Sequence, residues 1–178
     1  MVAIKPEPIE ETLRDFYLPR LKESLKHFHH FYVGKYMITN EEYTGDTWPK
    51  GRWKNFSFDE MKCQETGICA LNAPFMDLLQ DLRDTVGFPI TISSGYRSLS
   101  HSLEAKKEKP GAHTFGMAAD LVVSGAKAHQ VLKTALMMGF TGIGLKQTGD
   151  HAKRFIHLDT LSPEDGLTDA RPTVWTYG

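Results

Sequence analysis

The chain has 178 residues, of which 40% are hydrophobic and 24% charged, and its formal net charge is −1. This composition is typical of a globular chain with one ordinary domain, or one domain and an extension, and the near-neutral charge argues against nucleic acid as a partner. No apolar run approaches the roughly 20 residues of a membrane-spanning helix, and the start has no apolar stretch typical of a signal peptide, so we expect synthesis in the cytoplasm and no membrane insertion.

Residues 1–55 are predicted to form an N-terminal extension with helical and irregular parts. Residues 7–31 carry apolar side chains at helical spacing between charged ones, with Pro19 as an interruption. Residues 32–56 are rich in Gly, Asn, Thr, Trp and Pro, which is typical of an irregular connection. Residues 56–178 are predicted to form the domain that carries the chemistry.

Two helices are predicted in that domain, and each has recognisable ends. The first runs from about Pro74 to Val86, with Asn72 as its N-cap and Gly87 at its end. The second, KAHQVLKTALMMGF, has an apolar face and ends at Gly139 in the manner of a C-cap.

Strands are predicted at PITIS, MAADLVV, TGIGL and RFIHLDTL, with SGYRS as a tight turn after the first and a charged loop over residues 99–110. Helices and strands alternate without a regular β-α-β repeat. This mixture favours an α+β fold with a small, mostly antiparallel sheet flanked by helices. The two cysteines, Cys63 and Cys69, lack the spacing of a zinc knuckle and are predicted to be buried or half-buried thiols, with a local disulfide as the less favoured alternative.

Two of these strands carry side chains that suit a metal. Side chains alternate along a strand, so Asp120 faces one side of its strand, and His157 shares a face with Asp159. If the two strands are neighbours, His113, Asp120 and His157 can converge. A lone strand histidine is more often a hydrogen-bonded core residue, but two imidazoles and one carboxylate form a standard catalytic zinc set. Zinc in such a site polarises a carbonyl and lowers the pKa of bound water to about 7.

The motifs also resemble those of a known family. From about Phe56 to Tyr177 the chain resembles the zinc-dependent D-Ala-D-Ala carboxypeptidase family and its phage endolysin relatives. The family motif S-x-H-x-x-G-x-A-x-D corresponds to GAHTFGMAAD, with Gly111 in place of the serine, and the SGYRS turn is intact at Ser94–Ser98. The segments GFTGIG, FIHLD and RPTVWTY are similar to the C-terminal half of the small phage-type members.

The resemblance implies the zinc peptidase fold of that family and one Zn²⁺ ion held by His113, Asp120 and His157. It also implies that Arg97 reaches the substrate, where a guanidinium can bind a carboxylate or a developing oxyanion. A structural salt bridge within the turn is the alternative for Arg97. Tyr96 and Ser94 are further candidates for substrate contact, although a turn gives both of them structural reasons as well.

The general base is a separate prediction. Several related enzymes carry Glu or Asp three residues before the last histidine ligand, where this chain has Arg154. Asp159 is therefore the candidate for taking a proton from water. Its alternative role is to orient a ligand histidine. Asp150 and His151 in the preceding turn are the next candidates.

These features predict a zinc peptidase that hydrolyses peptide bonds in peptidoglycan stem peptides, as an endopeptidase or a DD-carboxypeptidase. Such a protein would act on the cell wall as a phage endolysin, or be carried on a virion with residues 1–55 docking to phage tail proteins. The alternative is a non-catalytic structural or tail-associated phage protein that keeps the fold and the metal site.

Overall fold

The computed structural model describes residues 28–33, 36–165, 168 and 170–178. The elements are, in chain order, β1 (Phe28–Val33), β2 (Tyr36–Glu42), α1 (Phe58–Met61), β3 (Ala70–Leu71), α2 (Ala73–Val86), β4 (Thr91–Ser94), β5 (Ala118–Val122), α3 (Gly125–Met138), β6 (Gly142–Lys146), β7 (Phe155–Asp159) and β8 (Thr173–Thr176). Short 3-10 turns lie at His151–Lys153 and Pro163–Asp165. Within the described residues, no helix is long and apolar enough to cross a membrane.

The larger sheet confirms the predicted fold class. Its five strands have the order β4-β5-β7-β6-β8; β6 and β8 are parallel and the other neighbouring pairs are antiparallel. The expected neighbours β5 and β7 pair with Asp120 opposite His157. The register therefore places the two predicted ligands side by side on one face of the sheet.

Both predicted helices are confirmed, together with their ends. Asn72 caps α2 by accepting a hydrogen bond from the backbone N–H of Phe75 at 3.0 Å. Gly87 and Gly139 end α2 and α3 in the left-handed region, with φ of 75° and 83°. Glycine adopts this conformation without the steric cost that other residues incur.

The two faces of the larger sheet have different chemistry. Ile156 and Leu158 of β7 belong to the main hydrophobic core together with residues of α2 and α3. The residues between them, such as His157, point to the opposite face because side chains alternate along the strand. The helices thus cover one side of the sheet and leave the other side available for a site.

The smaller sheet corrects two predictions. Strands β1 and β2 form an antiparallel hairpin, and Glu41 and Glu42 of β2 also pair with β3. Residues 28–31, predicted as the end of a helix, are therefore strand, and the irregular assignment of residues 32–56 was wrong for β2. Pairing with neighbouring strands stabilises this segment, and local residue spacing does not reveal such partners. Residues 7–27 of the predicted helix lie outside the described residues.

Residues immediately before the predicted boundary at residue 55 also contribute to the main core. Tyr43, Trp48 and Trp53 are buried, and their ring centroids lie 5.2–5.7 Å apart. The buried Asn40 donates a hydrogen bond from Nδ2 to the backbone oxygen of Phe115 at 2.7 Å. The division of the chain into residues 1–55 and 56–178 stays a prediction.

Candidate metal centre

The side chains of His113, Asp120 and His157 converge on one point. Nε2 of His113 lies 3.2 Å from Nδ1 of His157 and 3.4 Å from Oδ1 of Asp120. The third distance, between Nδ1 of His157 and Oδ1 of Asp120, is 2.8 Å. All three residues are buried, with 5–6% of their surface exposed. They form a group of side chains that could hold a metal ion.

A tight turn brings His113 to the strand ligands. Gly116, three residues later, has a φ of 64°, and a Cβ atom there would lie 2.4 Å from the backbone oxygen of Ala70. Both its conformation and its close approach to the neighbouring backbone therefore require glycine.

Each imidazole is oriented by a hydrogen bond on the side away from the cluster. Nδ1 of His113 donates to the backbone oxygen of Gly95 at 2.7 Å. Nε2 of His157 donates to Oδ2 of Asp159 at 3.1 Å. These bonds leave an unprotonated nitrogen of each ring facing the cluster, which is the arrangement that metal-binding histidines use.

The donor set fits zinc. Two imidazole nitrogens and one carboxylate oxygen facing each other at 2.8–3.4 Å carry lone pairs, which repel unless a cation lies among them. With Zn–N bonds of about 2.0–2.1 Å, ligand atoms of a tetrahedral site lie about 3.3 Å apart. Three protein ligands also leave the fourth position for water or substrate, as in catalytic sites.

The electrostatics of the cluster favour an ionised Asp120. Burial raises the pKa of this carboxyl group, but when a proton takes the place of a metal ion, hydrogen bonds and charges from His113 and His157 outweigh burial and hold the pKa well below its usual range. Burial lowers the pKa of His113 and keeps its ring neutral. His157 lies between two carboxylates, and their hydrogen bonds raise its pKa in spite of its burial. A metal ion and a proton therefore compete for this ring.

Arg97 lies at the edge of the cluster and contacts a predicted ligand. Its Nη2 donates to Oδ2 of Asp120 at 3.0 Å, and its Nε donates to Oγ of Ser94 at 2.8 Å. The guanidinium thus holds the Asp120 carboxylate in place while Oδ1 faces the two histidines. Ser94 orients Arg97 in turn. The roles predicted for Arg97 and Ser94 in substrate contact stay predictions.

Tyr96 and the acids considered as a base are placed differently. The Tyr96 side chain is buried in the main hydrophobic core and is not among the residues that line the pocket described below. His151 is exposed beside Ser124, and Asp150 caps the 3-10 turn by accepting from the backbone N–H of Ala152. The structure does not bring these side chains to the three converging ligands.

Asp159 is fully buried, and its contacts favour the second of its two predicted roles. Besides His157, it binds Arg171, whose Nε and Nη2 donate to its two oxygens at 2.9 and 2.7 Å. Its Oδ1 also accepts from the backbone N–H of Leu161. Burial alone would raise the pKa of Asp159. The bonds from His157 and Arg171 have the larger effect, so the pKa lies below its usual value. The carboxylate is thus held behind the ligand ring, while its assignment as the general base stays a prediction.

The sequence analysis did not single out the residues that complete the site. Arg171 binds Asp159, and the Trp175 ring lies 5.2 Å from that of His157. Gly142 and Gly144 make room for these groups: a Cβ on Gly142 would lie 2.1 Å from the Asp159 carboxylate, and one on Gly144 would lie 2.7 Å from Trp175. The alternating glycines of TGIG were the available signal, because such gaps mark a close approach on one face.

The cluster opens into a pocket of about 320 Å³. Its lining consists of Arg97, Lys107, Gly111, Ala112, His113, Asp120, Phe155, His157, Arg171, Trp175 and Tyr177. Cations and aromatic rings surround the metal-binding atoms. Asp120 is the only acidic residue in this lining among the described residues.

Comparison with known proteins adds one finding. The family model described as Peptidase M15 matches residues 54–159, a range that contains the three converging residues and the turn at Arg97. The match ends at Asp159, so Arg171, Trp175 and Tyr177 lie outside it. No curated protein matches the chain.

Proposed function

Because the chain belongs to the Peptidase M15 family of zinc-dependent peptidases, we propose that it hydrolyses peptide bonds in the stem peptides of bacterial peptidoglycan. The observation that carries this proposal is the convergence of His113, Asp120 and His157 at the base of an open pocket. These three residues would hold the zinc ion. When bound, zinc polarises the scissile carbonyl and lowers the pKa of water to about 7.

The remaining residues position the ligands and the substrate. Gly95 and Asp159 fix the two imidazole rings, and Arg171 fixes Asp159. Arg97 holds Asp120 and contributes positive charge to the pocket, where a substrate carboxylate or a developing oxyanion can bind. The ring of Trp175 covers His157 and limits access of bulk water on that side.

We propose the cell wall as the place of action, as a phage lysis enzyme or as a wall-degrading component of a virion. The similarity of GFTGIG, FIHLD and RPTVWTY to the C-terminal half of small phage-type members supports this setting. Residues 1–55 are the proposed docking segment for phage tail proteins in the second case. Whether the reaction is that of an endopeptidase or a DD-carboxypeptidase depends on which bond enters the pocket.

The second candidate function is a non-catalytic phage protein that keeps the fold and the metal. One observation favours it: Arg154 replaces the acid that several relatives carry three residues before the last ligand. In addition, the Asp159 carboxylate is fully engaged by His157, Arg171 and Leu161. No other acid lines the pocket beside Asp120 among the described residues.

One experiment separates the two functions. We expect one equivalent of zinc in the purified protein and newly released stem fragments when purified peptidoglycan is digested and analysed by mass spectrometry. The variant Asp120→Asn should lose zinc and activity, whereas Asp150→Asn, an exposed acid outside the pocket, should keep both. Bound zinc without released fragments would support the non-catalytic protein, and absence of zinc binding would refute both functions.

A further inference from the structure

A buried carboxylate organises part of the pocket wall. The Glu104 side chain is fully buried, and its Oε2 accepts from the backbone N–H of Gly111 at 3.1 Å. Its Oε1 lies 2.7 Å from Nζ of Lys107 and 3.6 Å from Nη1 of Arg97. Glu104 therefore holds two cations at the same part of the wall. Burial alone would raise the pKa of Glu104. These contacts have the larger effect, so the pKa lies below its usual value and the group is ionised.

A missing side chain makes room for the Lys107 ammonium. A Cβ atom on Gly111 would lie 2.8 Å from Nζ of Lys107 and 3.2 Å from Oε2 of Glu104. Gly111 stands where the resembling family motif carries serine. The space beside the pocket that a side chain would fill is therefore taken by a lysine from the loop of residues 99–110.

The two cations differ in how firmly they are held and in how exposed they are. Arg97 directs Nε to Ser94, Nη2 to Asp120 and Nη1 towards Glu104, and its side chain is 17% exposed. The Lys107 side chain is 43% exposed, and within the described part of the chain its ammonium group contacts the Glu104 carboxylate alone. An ammonium group has three N–H donors, so two of them remain for a ligand. Lys107 can also rotate towards a ligand, because its charge lies at the end of a flexible chain.

We propose that Lys107 is a specificity-determining residue that binds a free carboxylate of the substrate. This inference rests on the proposed function and deepens it, since it assigns the chain to stem peptides that are anionic near the cleaved bond. The carboxylate can be the C-terminal group or a side-chain group of the stem peptide, and both have the same chemistry. Arg97 and Glu104 hold the local geometry, and Lys107 makes the contact that distinguishes an acid from an amide.

Binding of three synthetic stem peptides to the zinc-loaded full chain tests this proposal. One peptide has all its carboxylates free, the second has a C-terminal carboxamide, and the third has side-chain carboxamides. We expect the free acid to bind about fivefold more tightly than one of the two amides, which is the effect of one partly exposed charged contact. The amide that loses affinity identifies which carboxylate Lys107 binds.

Three variants provide the comparison. Lys107→Met keeps a long, flexible side chain but removes its charge, so this variant should bind all three peptides equally. Gly111→Ala keeps the charge but displaces it, and should reduce the preference. Lys109→Met removes an exposed lysine of the same loop and should behave as the unmodified protein.

The outcomes separate this inference from the proposed function, because mass spectrometry of the same samples reports cleavage. Equal binding of the three peptides, no binding at all, or a preference that survives in Lys107→Met would overturn the role of Lys107. Fragments without a preference would refute this inference alone. A preference without fragments would support the carboxylate site and refute the peptidase function.

Discussion

Replacing Asp159 by asparagine tests how the zinc site is supported. The asparagine keeps the shape of the side chain and removes its charge, so the Nε2–H of His157 loses an anionic partner. Arg171 also loses its ion pair, because its Nε and Nη2 both donate to the Asp159 carboxylate. If Asp159 orients His157, the change weakens zinc binding before it affects any chemical step.

The magnitude follows from these contacts. Loss of a carboxylate that orients a ligand histidine typically weakens metal binding about 10–100-fold, or about 1.4–2.8 kcal/mol. Removal of one partner from a buried ion pair costs about 3–5 kcal/mol, and the Arg171 side chain is only 13% exposed. Since asparagine can still accept one hydrogen bond, we expect the free energy of unfolding to fall by about 3 kcal/mol.

Competition with a chromophoric chelator measures zinc affinity, and thermal denaturation measures stability. Asp84→Asn is the control. Asp84 lies on α2, and the change removes its carboxylate from an exposed ion pair with Lys54. We expect this control to change neither quantity appreciably. An unchanged zinc affinity in Asp159→Asn, together with a loss of turnover of about 10²–10⁴-fold, would refute the orienting role and indicate that Asp159 is the general base.

Three further predictions concern other parts of the molecule. Gly142→Ala should weaken zinc binding in the chelator assay, because the added Cβ would overlap the Asp159 carboxylate. The control Gly51→Ala should leave zinc binding unchanged, since nothing lies near its Cβ. Equal effects of the two substitutions would contradict this packing argument. Burial raises the pKa of the Cys69 thiol to about 12, so peptide mapping should find it unlabelled by a thiol reagent at pH 8 until the protein is unfolded, and rapid labelling of the native protein would be inconsistent with its burial. Removing zinc by dialysis against a chelator should lower the melting temperature by about 10 °C, because a ligand at a thousandfold excess over its dissociation constant stabilises by about 4 kcal/mol; calorimetry that finds no shift would argue against a tightly bound ion.

The central sheet and its helices could be predicted because their signals are local. Alternation along FIHLD placed His157 on the same strand face as Asp159, and the register with Asp120 confirmed that the two strands are neighbours. Asn72 and Gly139 marked helix ends through the chemistry of their own backbone groups. In each case the residues that decide the structure lie within one turn or one strand.

The missed features depend on partners far along the chain. Strand β2 pairs with β3, which lies some thirty residues later in the chain. The residues of β2 alone do not reveal this partner strand. The contact between Arg171 and Asp159 was not predicted, because the two residues lie 12 positions apart along the chain. Lys107 lies in a charged loop whose composition is typical of exposed segments in general. Its position at the pocket depends on the space left by the missing side chain of Gly111.

The buried Asn40 connects the loop that carries His113 to the hairpin at the start of the described chain. Its amide also approaches the backbone oxygen of Ala70, while residues 54–159 alone match the family model. A shortened version cut at the family boundary would therefore keep every ligand and lose the amide that restrains the histidine loop. A substitution of Asn40, which lies outside the matched range, is thus expected to loosen the loop that carries the first of the three candidate ligands.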